Sequence, residues 1–195
     1  MTAEAGPSTK WRLFIAAPVP EEAAISLWSA LDDLRAKHPG ARWAKRQQLH
    51  ATLLFLGQTE AAEVPRLTEA MTLAAKQHGP FEATTTYAGG RFDDRRGGVA
   101  WLVLDDRQRR LRNLAREVDW RVGTNVYANR RPKPHVTVAR RIDQELLMDL
   151  HAAADGLHAS WTFDRMVLYR SFGDPGGSRY ETLAEEALTS PSATA

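Results

Sequence analysis

Two histidines in this 195-residue chain carry the same flank. One stands in Leu49-His50-Ala51-Thr52-Leu53, and the other, 85 residues further on, in Pro134-His135-Val136-Thr137-Val138. On a strand, residues i and i+2 face the same side, so each histidine shares a face with its threonine. The residues between them point the other way. Two such strands brought together offer two imidazoles and two hydroxyls to one small anion. An imidazole titrates near neutral pH and can give or take a proton there. Opening a cyclic phosphodiester needs both acts, one on the attacking water and one on the leaving oxygen. Each transfer contributes about 10² to 10⁴ in rate. Threonine hydroxyls can donate to the non-bridging oxygens as charge builds on them. The near symmetry of the two copies leaves open which ring is acid and which is base.

A single His-x-Thr on a strand is ordinary surface chemistry. The duplication with matched flanks singles out His50 and His135 from His38, His78, His151 and His158, which are read as solvated or capping. The chain has no cysteine, which excludes disulfides, thiolate nucleophiles and cysteine-based zinc sites. It carries neither standard Gly-rich phosphate loop nor a Gly-x-Ser-x-Gly elbow. No compact carboxylate–histidine pattern suggests a metal, so no cofactor is expected.

Net charge is only +2, but basic residues cluster at 91–96, 107–112 and 129–141. The last set, Arg130, Arg131, Lys133, Arg140 and Arg141, brackets the second motif and suits a nucleic-acid backbone. His135 and Arg140 are five apart, on opposite faces of an ideal strand, so a bend or bulge must turn Arg140 toward the ring. Trp43, just before the first motif, is a candidate platform for a base, as is Tyr169. Phe55 lies three residues past Thr52, and strict alternation assigns it to the core. The stretch 88–98, with Phe92, Arg95 and Arg96, reads as a Gly- and Arg-rich loop at the rim of the groove.

The elements that must position these groups follow from periodicity. Strands are expected at 11–17, 41–44, 49–56, 81–87, 99–104, 135–140, 161–172 and 179–188. Helices are expected at 21–37, 60–77, 107–121 and 143–154. Strands often follow one another directly, so the class is α+β with a largely antiparallel sheet. Residues 11–188 are expected to form one domain, between a disordered tail at 1–10 and another at 189–195. No apolar run reaches membrane-spanning length and residues 1–9 hold no apolar signal region. A cytoplasmic monomer is the expectation, with no membrane or obligate protein partner.

The duplicated motif resembles that of the 2H phosphoesterases. Within them the chain is similar to the RNA 2′,3′-cyclic phosphodiesterases, historically called 2′-5′ RNA ligases and typified by LigT. The likeness runs from Arg12-Leu13-Phe14-Ile15-Ala16 through Arg42-Trp43 and both motifs to Gly176-Gly177-Ser178-Arg179-Tyr180-Glu181-Thr182-Leu183. It implies a bilobal fold, with two pseudo-two-fold-related lobes around a central cleft. It implies metal-independent hydrolysis of RNA 2′,3′-cyclic phosphate ends, or of a cyclic nucleotide, to a 2′-phosphomonoester. His50 would then be the general acid and His135 the general base. Thr52, Thr137 and Arg140 would hold the phosphate, with Arg130 and Lys133 near the RNA. Two alternatives remain: 2′-5′ end joining of RNA, and a non-catalytic RNA- or nucleotide-binding module. The chain departs from the family pattern at Ala51, Val138 and Pro132, while Lys133 stands at the family's usual basic position.

Overall fold

The computed structural model describes residues 9–92, 97–128, 131, 133–174 and 177–190. In chain order the elements are β1 (Lys10–Pro18), α1 (Glu21–Ala30), α2 (Asp32–Lys37), β2 (Arg42–Trp43), β3 (His50–Glu60), α3 (Val64–Ala75), β4 (Phe81–Arg91), β5 (Gly98–Leu104), α4 (Arg110–Val122), β6 (His135–Ile142), α5 (Gln144–Ala153), β7 (Ser160–Phe163), β8 (Arg165–Asp174) and β9 (Gly177–Ala187). Among the described residues every strand pairing is antiparallel.

The sheet runs β7-β4-β5-β6-β3-β1-β8-β9, with β2 added against β6. Its centre is the β6–β3 pair, and the order reads alike outward from there. One lobe holds β3, β1, β8 and β9; the other holds β6, β5, β4 and β7. Helices α3 and α4 pack on the first lobe, while α5 packs on β4 of the second beside α2. The helix after β5 therefore covers the lobe that β5 does not belong to. This is the expected α+β fold with two pseudo-symmetric halves.

Four departures from sequence expectation have physical reasons. The helix at 21–37 breaks at Leu31, whose backbone leaves α-geometry. There the Arg35 guanidinium bonds the Trp28 carbonyl and lies 3.2 Å above the Trp28 ring, so the break is held by a cation–π stack. The helix expected from 60 begins at Val64, after a 3₁₀ turn over Ala61–Glu63. Strand β3 runs past Gly57 to Glu60, with Gly57 at φ +69°. Strand β4 continues to Arg91 through two glycines that read as loop. A Cβ on Gly89 would stand 2.5 Å from Trp101 Nε1, and one on Gly90 would stand 2.6 Å from a Leu147 methyl. These glycines make room for side chains crossing the sheet, and they do not mark a turn. Arg95 and Arg96 lie outside the described residues; Phe92 is exposed.

The described residues that follow α4 form no helix or strand before β6, yet residues 124–127 are pinned. Asp119, only 3% exposed, accepts the backbone N–H of Val126 (3.0 Å) and of Tyr127 (2.8 Å), and the Thr124 hydroxyl. The Tyr127 hydroxyl in turn donates to the Leu53 carbonyl on β3 at 2.8 Å. Thus one buried carboxylate fixes the approach to the second motif against the strand of the first. Asp119→Ala would strand these donors, and a lost partner in a buried site costs about 1–3 kcal/mol. The expected outcome is a correspondingly lower urea midpoint with unchanged slope; a midpoint equal to wild type would show the network to be dispensable.

Candidate active site

The two motif strands meet through one backbone pair, Ala51 against Val136. Both residues are fully buried. Antiparallel geometry then sets His50 across from Thr137 and Thr52 across from His135. Opposite Cβ atoms in such pairs are about 4.5–5.5 Å apart, and diagonal neighbours about 7–8 Å. The imidazoles therefore lie on a diagonal, each facing the other motif's hydroxyl. All four residues are partly exposed on one face.

Each motif strand carries the same irregularity. On β3 the register against β1 slips between Ile15↔Leu54 and Ala16↔Thr52, leaving Leu53 as an extra residue. On β6 the register against β5 slips between Ala100↔Ala139 and Trp101↔Thr137, leaving Val138 extra. Both bulges fall three residues after the histidine, and both bury two consecutive side chains: Leu53 with Leu54, and Val138 with Ala139. The bulge inverts the alternation. Position +5 thereby returns to the histidine face. On β6 that residue is Arg140, so the bend it required is present. On β3 it is Phe55, which is 62% exposed. The assignment of Phe55 to the core is corrected: strict alternation fails at Leu53.

The two rings are held alike. His50 Nδ1 lies 2.6 Å from the Gln48 carbonyl, and His135 Nδ1 lies 2.6 Å from the Lys133 carbonyl. A carbonyl only accepts, so each Nδ1 carries the proton and each Nε2 is left for the groove. Burial is the largest cause lowering both pKa values, and the Arg140 charge lowers both further. His50 falls from 6.5 to about 4, and His135 falls in the same direction. Both rings are neutral at pH 7 with the groove empty of anions.

Aromatic walls stand behind the rings. Phe14, Tyr180 and Tyr169 pack around His50 at centroid distances of 5.1, 5.6 and 6.4 Å. Phe14 also touches Phe55 at 6.1 Å. Trp101 packs 5.6 Å from His135, in the space that Gly89 leaves. From His50 and Thr137 a groove of about 320 Å³ runs between β2 and the β8–β9 hairpin. Arg140, Arg42, Trp43, Lys45 and Arg179 line it. Trp43 is anchored by its indole N–H on the His38 carbonyl, 3.1 Å away. Lys133 contributes its carbonyl to His135 while its side chain is exposed, and Arg130 lies outside the described residues.

Sequence reasoning missed Gln48 and the site roles of Phe14 and Tyr180. Gln48 receives the His50 ring N–H on its carbonyl, accepts the Lys45 N–H at 3.1 Å, and donates its amide to the Ser178 carbonyl. Its place two residues before the histidine, matched by Lys133, was the available signal. Phe14 read as plain core on an apolar strand. Among the other histidines, His38 is not solvated: it is 8% exposed, and its Nε2 is 2.6 Å from Asp149.

The model of the 2′-5′ RNA ligase superfamily matches residues 23–175. An RNA 2′,3′-cyclic phosphodiesterase of Geobacillus stearothermophilus is 30% identical over 177 residues, covering 88% of this chain and 55% of that protein. The chain thus spans little more than half of that relative. One of Thermotoga maritima is 24% identical over 176 residues, covering 89% of this chain and 94% of its own. E. coli LigT, solved in apo form and with 3′-AMP, superposes with TM-scores of 0.68 and 0.66 at 28% and 27% identity. Each alignment covers 93% of this chain and 99% of LigT.

The ring environments predict a pH signature. A histidine whose folded pKa is depressed stabilises the fold above its unfolded value of 6.5, and that contribution is lost as pH falls toward the folded value, about 4 for His50. Unfolding free energy should therefore decline between pH 6.5 and 4, and His50→Gln should flatten the decline. In NMR titration His50 should keep its Nδ1–H tautomer at pH 7 and protonate near pH 4. A His50 titrating at 6.5 or above would refute the desolvated ring.

Proposed function

Because the chain belongs to the 2′-5′ RNA ligase superfamily, we propose that it hydrolyses the 2′,3′-cyclic phosphate at RNA ends. Curated relatives carry the name RNA 2′,3′-cyclic phosphodiesterase, and E. coli LigT has been solved with 3′-AMP. The observation that carries the reading is the matched pair of Nε2 atoms, each fixed by an Nδ1 bond to a carbonyl, on one face of β3 and β6.

The cyclic phosphate sits between the rings, with Thr52 and Thr137 donating to its non-bridging oxygens. Its negative charge offsets Arg140, whose charge adds to burial in lowering both pKa values, and both values rise. The pair then holds one proton. We place it on His50, the acid in the family resemblance, whose ring packs against Phe14, Tyr169 and Tyr180. His135 Nε2 takes a proton from water as the water oxygen bonds to phosphorus. The bond from phosphorus to O3′ breaks, and His50 Nε2 gives its proton to O3′. A 2′-phosphomonoester leaves, and a proton exchange with solvent resets the pair. Arg140 balances the phosphate charge, and Trp43 is the platform for a base. Substituting a ribose 5′-hydroxyl for water makes a 2′-5′ linkage by the same transfers. High water concentration favours hydrolysis.

His50→Ala and His135→Ala should each lower kcat on a 2′,3′-cyclic nucleotide by about 10²–10⁴ while far-UV circular dichroism stays native. Near-native turnover by either variant would refute the pair. The order of roles has its own check. With sulfur replacing O3′, the leaving thiolate needs no proton, so His50→Ala should recover most of its rate and His135→Ala should not. The reverse recovery would exchange acid and base. A 3′-phosphate product would overturn the choice of leaving oxygen.

A further inference from the structure

Beyond the groove lies a second hollow of about 430 Å³, lined by Ile25, Trp28, Ser29 and Asp32 and by the turn Lys45-Arg46-Gln47. Lys45 and Gln47 line both spaces, so the two lie on either side of that turn. Resting on the cyclic phosphodiesterase reading, we infer that this hollow receives the base of the nucleotide preceding the cyclic end of an RNA chain, with the connecting phosphate crossing Lys45 and Arg46.

The chemistry of the hollow fits a base. Ile25, Trp28, Ser29 and Asp32 are spaced i, i+3, i+4 and i+7 and form one stripe along α1 and into α2. Ile25 is 41% exposed and supplies an apolar floor to the hollow. Trp28 is rigid: its indole N–H donates to the Ala44 carbonyl at 2.9 Å, and Arg35 lies against its ring. A fixed aromatic flank loses little entropy on stacking. Ser29 and Asp32 offer polar groups to the edge of a base. Asp32 is paired with Arg35, so its charge repels a phosphate little. Among the described residues Arg46 pairs with Glu21, loosely at 3.9 Å, and can turn to a phosphate.

Topology also limits the exits. A 3′-terminal cyclic phosphate leaves the chain only its 5′ direction. Toward β1 and β8 the site is closed by Phe14, Tyr169 and Tyr180 packed on one another at 4.9–5.9 Å. Past Lys45 and Gln47 the second hollow adjoins it.

The test compares kcat/KM on adenosine 2′,3′-cyclic phosphate with that on a trinucleotide ending in the same group. One added stacked base predicts an advantage of about tenfold or more for the trinucleotide. Ile25→Asp and Arg46→Glu, both outside the catalytic groove, should each erase most of that advantage and leave the mononucleotide rate unchanged. Equal kcat/KM on both substrates, or an advantage that survives both variants, overturns the inference and leaves the cyclic phosphodiesterase reading standing. Failure to turn over either substrate removes that reading, and this inference with it.

Discussion

The site depends on one backbone contact, the pairing of Ala51 with Val136 where the lobes meet. The spacing of the four proposed catalytic groups is set there. The pair is fully buried, so its small and β-branched side chains occupy the seam beneath the groove while the flanking histidines and threonines point outward. A shift of β6 by one residue in this register would turn His135 and Thr137 into the core. That outcome is barred by the cost of burying unpaired polar groups and exposing the apolar residues of that strand. The apolar seam and the polar groove therefore specify each other.

Much of this was legible in the sequence. The duplicated His-x-Thr named the strands, the faces and the four groups, because a period of two is a local property. The order of elements gave the antiparallel α+β class for the same reason. The bulges were not legible. An extra residue at Leu53 or Val138 exists only relative to the neighbouring strand, β1 or β5, so Phe55 was placed on the wrong face. For Arg140 the need for a bend could be stated, but not where it occurs. The glycines at 89 and 90 misled for a related reason: the side chains they admit, Trp101 and Leu147, come from elsewhere in the chain. Gln48 was overlooked because a glutamine beside a motif carries no chemistry by itself; its value lies in tying the His50 ring to the β8–β9 hairpin.

The electrostatics follow from that packing. Enclosing each ring among aromatic side chains lowers its pKa, and the neighbouring guanidinium lowers it further. An empty groove is thus a cationic rim around two neutral bases. An anion in the groove would offset the guanidinium's share of that lowering, while the share due to burial would remain. In the proposed reaction the proton for the leaving oxygen would be taken up together with the phosphate.

The two bulges are alike, but the residues they deliver are not: one lobe presents a benzyl group and the other a guanidinium. Two mirrored half-sites, taken alone, would accept a tetrahedral anion in two poses of equal energy, of which only one breaks a given ester bond. Half of all encounters would be unproductive. The mismatch at this single pair of positions lifts the degeneracy, since a ligand with one apolar end and one charged end has a preferred heading. A nearly symmetric fold thereby acquires a direction.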